Sequence, residues 1–66
     1  MENKEMWSNL MQQLLKINIR DKATCLLVMG RIKTQEQYQQ MMNYLSQNKN
    51  LTEEQITNKA IEISKN

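Results

Sequence analysis

Apolar residues recur at steps of three and four along most of this chain, which is the spacing of one face of an α-helix. The clearest case is the segment from about Asn3 to Lys16, whose opposite side carries serine, asparagine and glutamine. Its apolar positions are Met6, Trp7, Leu10, Met11, Leu14 and Leu15. This segment is therefore predicted to form the first amphipathic helix.

The pattern changes at residues 17–20, where two isoleucines alternate with polar residues and predict a short extended connection. Asp21 follows as a good N-cap, because its carboxylate can accept from the free amides of the next turn. The second helix, from about Lys22 to Ile32, is apolar nearly all round, which is typical of a helix buried on most sides. Gly30 is interpreted either as a C-cap residue or as a site of close helix packing.

Two capping boxes mark the starts of two further helices, at residues 34–37 (Thr-Gln-Glu-Gln) and 52–55 (Thr-Glu-Glu-Gln). The third helix runs to about Gln47 and the fourth to about Ser64, with a polar turn at 47–50 between them. The third helix has its stripe at Tyr38, Met41, Met42 and Leu45, and the fourth buries Ile56, Ala60, Ile61 and Ile63. Because the loop is short, these two helices are expected to form a helical hairpin.

The predicted fold class is all-α, a small bundle of about four helices forming one domain over residues 1–66. Proline is absent and glycine occurs once, which disfavours strands and tight turns. A chain this short buries a modest core. With one cysteine it cannot form an internal disulfide, so regular helix packing or self-association is expected to stabilise it.

The chain has few of the side chains that commonly act in catalysis. Histidine, the commonest general acid–base at neutral pH, is absent. Cys25 lies in the most apolar stretch and is predicted to be an inert core thiol. Glu53 and Glu54 are explained by helix capping, and one glycine cannot build a phosphate-binding loop. We therefore expect no catalytic residues, no cofactor and no metal site.

The start of the chain mixes charged and polar residues with leucine and methionine, unlike a secretion signal. The longest apolar run, Cys25 to Met29, is far shorter than the roughly 18–20 residues of a membrane span. A cytoplasmic location is expected, with a reduced thiol. The first helix is amphipathic but lacks the basic polar face of membrane-surface helices, so no membrane partner is expected.

The apolar second helix, together with six methionines in a short chain, favours self-association. A homodimer is the preferred partner state, and another protein is the alternative. The predicted interface residues are Leu26, Leu27, Met29, Ile32 and Trp7. As a residue of the apolar stripe, Trp7 is expected first of all to lie in the core, and the alternative is an anchor in the interface. The expected function is that of a non-catalytic protein-interaction module.

Two further hypotheses about what the chain binds stay open. Arg20, Lys22, Arg31 and Lys33 form a cationic segment that could bind an anionic ligand or nucleic acid. A helix-turn-helix around Gly30 would also bind DNA, but Leu26 is large where that motif needs a small residue. Glu36 and Gln39 are polar where the motif buries apolar residues. Both readings rank below protein binding.

The composition, rich in asparagine, lysine, glutamine and isoleucine, is similar in style to that of small proteins from low-GC bacteria and their phages. That likeness is one of composition and carries no motif. It implies a small regulator or inhibitor that acts by binding another macromolecule.

Overall fold

The computed structural model describes residues 3–48 and 50–65. It has four helices, α1 (Asn3–Lys16), α2 (Lys22–Arg31), α3 (Gln35–Gln47) and α4 (Glu53–Ser64). The all-α prediction is confirmed, and the helix bounds agree with the sequence pattern except that Ile32 is the C-cap of α2 rather than a helical residue. Lys49 of the predicted polar turn and Met1, Glu2 and Asn66 of the predicted domain lie outside the described residues.

Three helices begin at side-chain caps that the sequence indicates. The carboxylate of Asp21 accepts from the backbone N–H and from the hydroxyl of Thr24, each at 3.0 Å. Thr34 and Thr52 head reciprocal capping boxes, and each threonine hydroxyl accepts from a glutamine N–H at 3.1 Å. Caps of this kind each contribute about 1 kcal/mol to stability, so local chemistry sets where α2, α3 and α4 start.

The predicted extended connection at 17–20 is wrong in its first half. Asn18 has φ 68°, and its N–H donates to the Leu15 carbonyl at 3.0 Å. The N–H of Ile19 donates to the Leu14 carbonyl at 2.9 Å. This is a Schellman ending, in which a left-handed residue closes the helix and an apolar contact from the next residue accompanies it. Asparagine tolerates that backbone better than most residues, and Ile19 is turned into the core.

The four helices form a ring in which neighbours pack in the order α1, α3, α4, α2. The most extensive pairing is that of α2 with α4, and the least extensive is that of α1 with α2. Each helix supplies one face to a shared core. The buried apolar residues are Met6, Leu10, Leu14, Ile19, Cys25, Val28, Ile32, Tyr38, Met41, Leu45, Ile56, Ala60 and Ile63. Among the described residues, no buried side-chain polar atom lacks a hydrogen-bond partner.

Gly30 has neither of the two roles expected for it. It lies inside α2, one residue before the last helical position, and its φ is not positive. A Cβ built on it would meet no other atom within 4 Å. The helix therefore needs no glycine at this position for its own geometry or packing.

Candidate protein-interaction groove

The apolar stripe of α1 is wider than the core that it covers. Three of its residues are buried, and the other three lie on the side that faces away from α3, partly open to solvent. The buried set is Met6, Leu10 and Leu14, and the exposed set is Trp7, Met11 and Leu15. The side chain of Trp7 is 47% exposed. Large apolar side chains exposed in one row, rather than singly, are characteristic of a binding surface.

The exposed row of α1 forms one wall of a groove whose other wall is α2. The groove has a volume of about 680 Å³. Its lining residues are Trp7, Met11 and Leu15 from α1, Lys22, Cys25, Leu26, Met29 and Gly30 from α2, and Arg20 from the connection. Leu26, 63% exposed, is the most open large apolar side chain among the described residues. We call this feature the α1–α2 groove.

The predicted interface residues divide into two sets. Trp7, Leu26 and Met29 line the α1–α2 groove, whereas Leu27 is partly buried against the core from another side of α2. Ile32 is 1% exposed and lies at the base of the small hollow beside Trp7, so it belongs to the core and offers a partner little surface. The reason is helical spacing, since Ile32 follows Val28 by four residues and shares its inward face.

Cys25 forms part of the floor of the groove. Its thiol lies 3.9 Å from the Ile19 carbonyl and is buried. Burial, with smaller contributions from the charges of Asp21 and Glu53, raises the pKa of the Cys25 thiol above its ordinary value of 9.0. A protonated thiol is a poor nucleophile, so the groove presents an apolar floor rather than a reactive one.

The four predicted cations do not form one patch. Arg20 and Lys22 lie at one end of the α1–α2 groove, and Lys33 lies by a smaller hollow beside Trp7 at the other end. Arg31 lines a further hollow with Lys33, outside the α1–α2 groove, and its guanidinium donates to the Ser64 hydroxyl of α4 at 3.5 Å. Among the described residues, no carboxylate lines either hollow. The groove is therefore apolar along its length and cationic at both ends.

The arrangement of α2 and α3 differs from that of a helix-turn-helix. In that motif two helices joined by a short turn pack against each other. Here no Cα atom in the described part of α2 lies within 8 Å of one in α3, and both helices pack on α4. Glu36 and Gln39, at the positions that the motif would bury, are exposed, and so is Leu26, at the position where the motif needs a small residue.

The two other groove residues of α1, Met11 and Leu15, were not among the predicted interface positions. The sequence does contain a signal for them. They follow Trp7 at steps of four, which places all three in one row along the helix. In contrast, which side of the stripe stays open depends on how α2 crosses α1, and that is set by the whole fold.

Within residues 3–48 and 50–65, no helix is long and apolar enough to cross a bilayer. The same part of the chain contains no group of three or more histidine, cysteine or acidic side chains that could hold a metal ion. No protein-family model, curated protein or solved structure matches the chain significantly. Function is therefore inferred from the residues themselves.

Proposed function

We propose that this chain is a non-catalytic protein-interaction module, a small regulator or inhibitor that acts by docking a protein into the α1–α2 groove. The observation that carries this proposal is the pairing of Trp7 and Leu26, both widely exposed, across one apolar groove. Tryptophan is over-represented among residues that dominate binding energy, and such residues sit in pockets with apolar neighbours.

The closed core supports this proposal. Within the described part of the chain, thirteen buried apolar residues form one cluster in a single copy, so the open groove is not a gap left by incomplete packing. Burial of apolar surface stabilises a protein or a complex by about 25 cal/mol for each Å² removed from water. In the single chain, the exposed surfaces of Leu26 and Trp7 do not contribute this free energy. A partner that covers them recovers that free energy.

The groove can be covered by a second copy or by another protein, and self-association remains part of the proposal. Nucleic-acid or anion binding has weaker support, because the predicted cations divide into two pairs that lie on either side of the apolar groove. We also propose a cytoplasmic location, where the single free thiol of Cys25 stays reduced.

Site-specific photo-crosslinking tests the proposal. A photoreactive phenylalanine analogue is placed at Leu26, in the groove, and separately at Gln40, an exposed position on α3. Both variants are produced in cells that naturally contain the chain and are irradiated. We expect a discrete protein adduct from position 26 and none from position 40. An adduct of twice the chain mass identifies a second copy, and any other mass identifies a different protein.

Equal labelling from the two positions, or no adduct from position 26, would contradict the proposal. The Gln40 variant controls for random collision, because its side chain is also exposed on a helix. Urea unfolding of both variants shows whether each is folded before the comparison is made.

A further inference from the structure

We propose that the occupant of the α1–α2 groove is an amphipathic helix of another protein, with acidic residues flanking its apolar face. This inference rests on the proposed function, because it assumes that the groove is a docking surface. It adds the chemical class of the partner.

Charge at the groove is the first reason. Arg20 and Lys22 stand at one end, Lys33 stands at the other, and no carboxylate among the described residues lines the space between them. Asp21, the nearest acid in sequence, turns its carboxylate to Thr24 as the cap of α2 and keeps its charge, so the end at Arg20 and Lys22 carries a net single positive charge. Complementary charge on a partner speeds association and fixes its register. A partner with acids at both ends of an apolar stretch matches this pattern.

The dimensions of the groove favour a helix. Trp7 and Leu15 are eight residue steps apart on α1, with Met11 midway, which is about 12 Å at the helical rise. The same length on a partner helix is about two turns and presents apolar side chains at positions i, i+3 or i+4, and i+7. The two walls are themselves helices, and a third helix can lie between their side-chain ridges.

The second and independent reason is the presence of a glycine, Gly30, at a helical position of the groove wall. Glycine inside a helix costs about 1 kcal/mol relative to alanine, and nothing within this chain requires it, because its Cβ position is empty. Gly30 lies on the wall of the α1–α2 groove and of the hollow beside Trp7. A missing side chain at that point lets the backbone of a docked helix approach α2 closely.

The same features disfavour a second copy as the occupant. A twofold interface places the same patch on both sides, so the groove cations of the two copies would face one another. A stable dimer also buries roughly 800 Å² per partner, about a sixth of the 4590 Å² surface of this chain. The short groove covers less, so a dimer would have to extend across its cationic ends.

The experiment selects helices by their charge. A library of helical peptides carries Leu, Ile, Met or Phe at three positions of one face and Glu, Gln or Lys at the flanking positions. It is selected on the immobilised full chain. Selected peptides, which contain no tryptophan, are then titrated against the free chain while the emission of Trp7, its single tryptophan, is followed.

Two matched charge-reversal variants locate the effect. The groove variant is Arg20→Glu with Lys22→Glu, and the control variant is Lys16→Glu with Lys65→Glu, which makes the same change in net charge at exposed positions outside the groove. Lys22→Glu places an acid in the first turn of α2, where the helix dipole favours it. Arg20→Glu removes a hydrogen bond to Asn18, so urea unfolding of both double variants is measured to show that loss of binding is not caused by a weaker fold.

We expect glutamate at the flanks of the selected peptides. The groove variant should weaken their binding by at least about tenfold, and the control variant by less than about twofold. Selection of peptides with glutamine or lysine at the flanking positions would contradict the claim that the partner is acidic, while the groove would still be a docking surface. If the chain without peptide forms a dimer in which Trp7 is shielded from solvent, the occupant of the groove is a second copy and not a helix of another protein. If nothing is selected, or if Leu26→Asp leaves binding unchanged, the proposed function fails with the inference.

Gly30→Ala gives a readout that a folding defect cannot mimic. The added methyl group should weaken binding of the selected peptides about three- to tenfold by blocking close approach, while the free chain becomes more stable. Unchanged affinity in this variant would remove close backbone approach from the inference and overturn the role given to Gly30.

Discussion

Replacing Gly30 with alanine is expected to stabilise the isolated chain. Gly30 lies in α2, has no positive φ, and an added Cβ would meet nothing within 4 Å. Alanine therefore gains helix propensity without a clash. The full interior value is about 1 kcal/mol. Because Gly30 lies in the last turn, where helices fray, we expect about 0.5–1 kcal/mol.

Urea unfolding followed by circular dichroism at 222 nm measures this effect. For a domain of this size, 1 kcal/mol corresponds to about 4–8 °C in melting temperature, so a thermal melt provides a second reading. The matched control is Ala23→Gly, the reverse change at an exposed position of the same helix. It should destabilise the chain by a similar amount.

A lower free energy of unfolding for Gly30→Ala would refute the reasoning. It would mean that the added methyl group meets neighbouring atoms or that α2 does not continue through Gly30. An unchanged slope against urea is required for the comparison, because a changed slope would indicate a different unfolded or folded state.

Three further predictions concern the stability of the fold. Leu10→Ala should lower the free energy of unfolding by about 2–5 kcal/mol, whereas Leu26→Ala should change it by less than about 0.5 kcal/mol, because Leu10 is buried and Leu26 is open. Asn18→Val should lower the free energy of unfolding by about 1–2 kcal/mol, because a branched side chain does not suit φ 68°, whereas Asn18→Gly should leave it unchanged. Chemical denaturation of the leucine variants and of the Asn18 variants measures these changes. Burial raises the pKa of Cys25 above 9.0, so above that pH the unfolded chain releases its thiol proton before the folded chain does. Stability is therefore full below pH 9.0 and falls as the pH rises further, and unfolding curves at neutral and alkaline pH should show a smaller fall in Cys25→Ala than in the natural chain.

Local chemistry explains why the helices could be predicted from the sequence. Asp21, Thr34 and Thr52 each satisfy backbone amides within three residues of themselves, so their effect does not depend on distant parts of the chain. The same holds for the stripe spacing in α1 and α3. These features identify where each helix starts and which residues face roughly inward.

The remaining features depend on contacts between helices. The pattern alone could not tell that Asn18 closes α1 in a left-handed conformation, because alternating isoleucines suit an extended strand equally well. It could not tell that Ile32 is buried while Leu26 is open, because α2 is apolar on nearly every side. That choice is made by α4, which covers one side of α2 and leaves the other to form the groove.

Quenching of Trp7 fluorescence by acrylamide tests the central claim most directly. It is measured at low and high concentrations of the isolated chain, and again with the partner recovered by crosslinking from position 26. Because Trp7 is 47% exposed, we predict ready quenching of the isolated chain and strong protection once the partner is added. Protection of Trp7 in the dilute isolated chain, or equal quenching with and without the partner, would contradict an open groove that docks a protein.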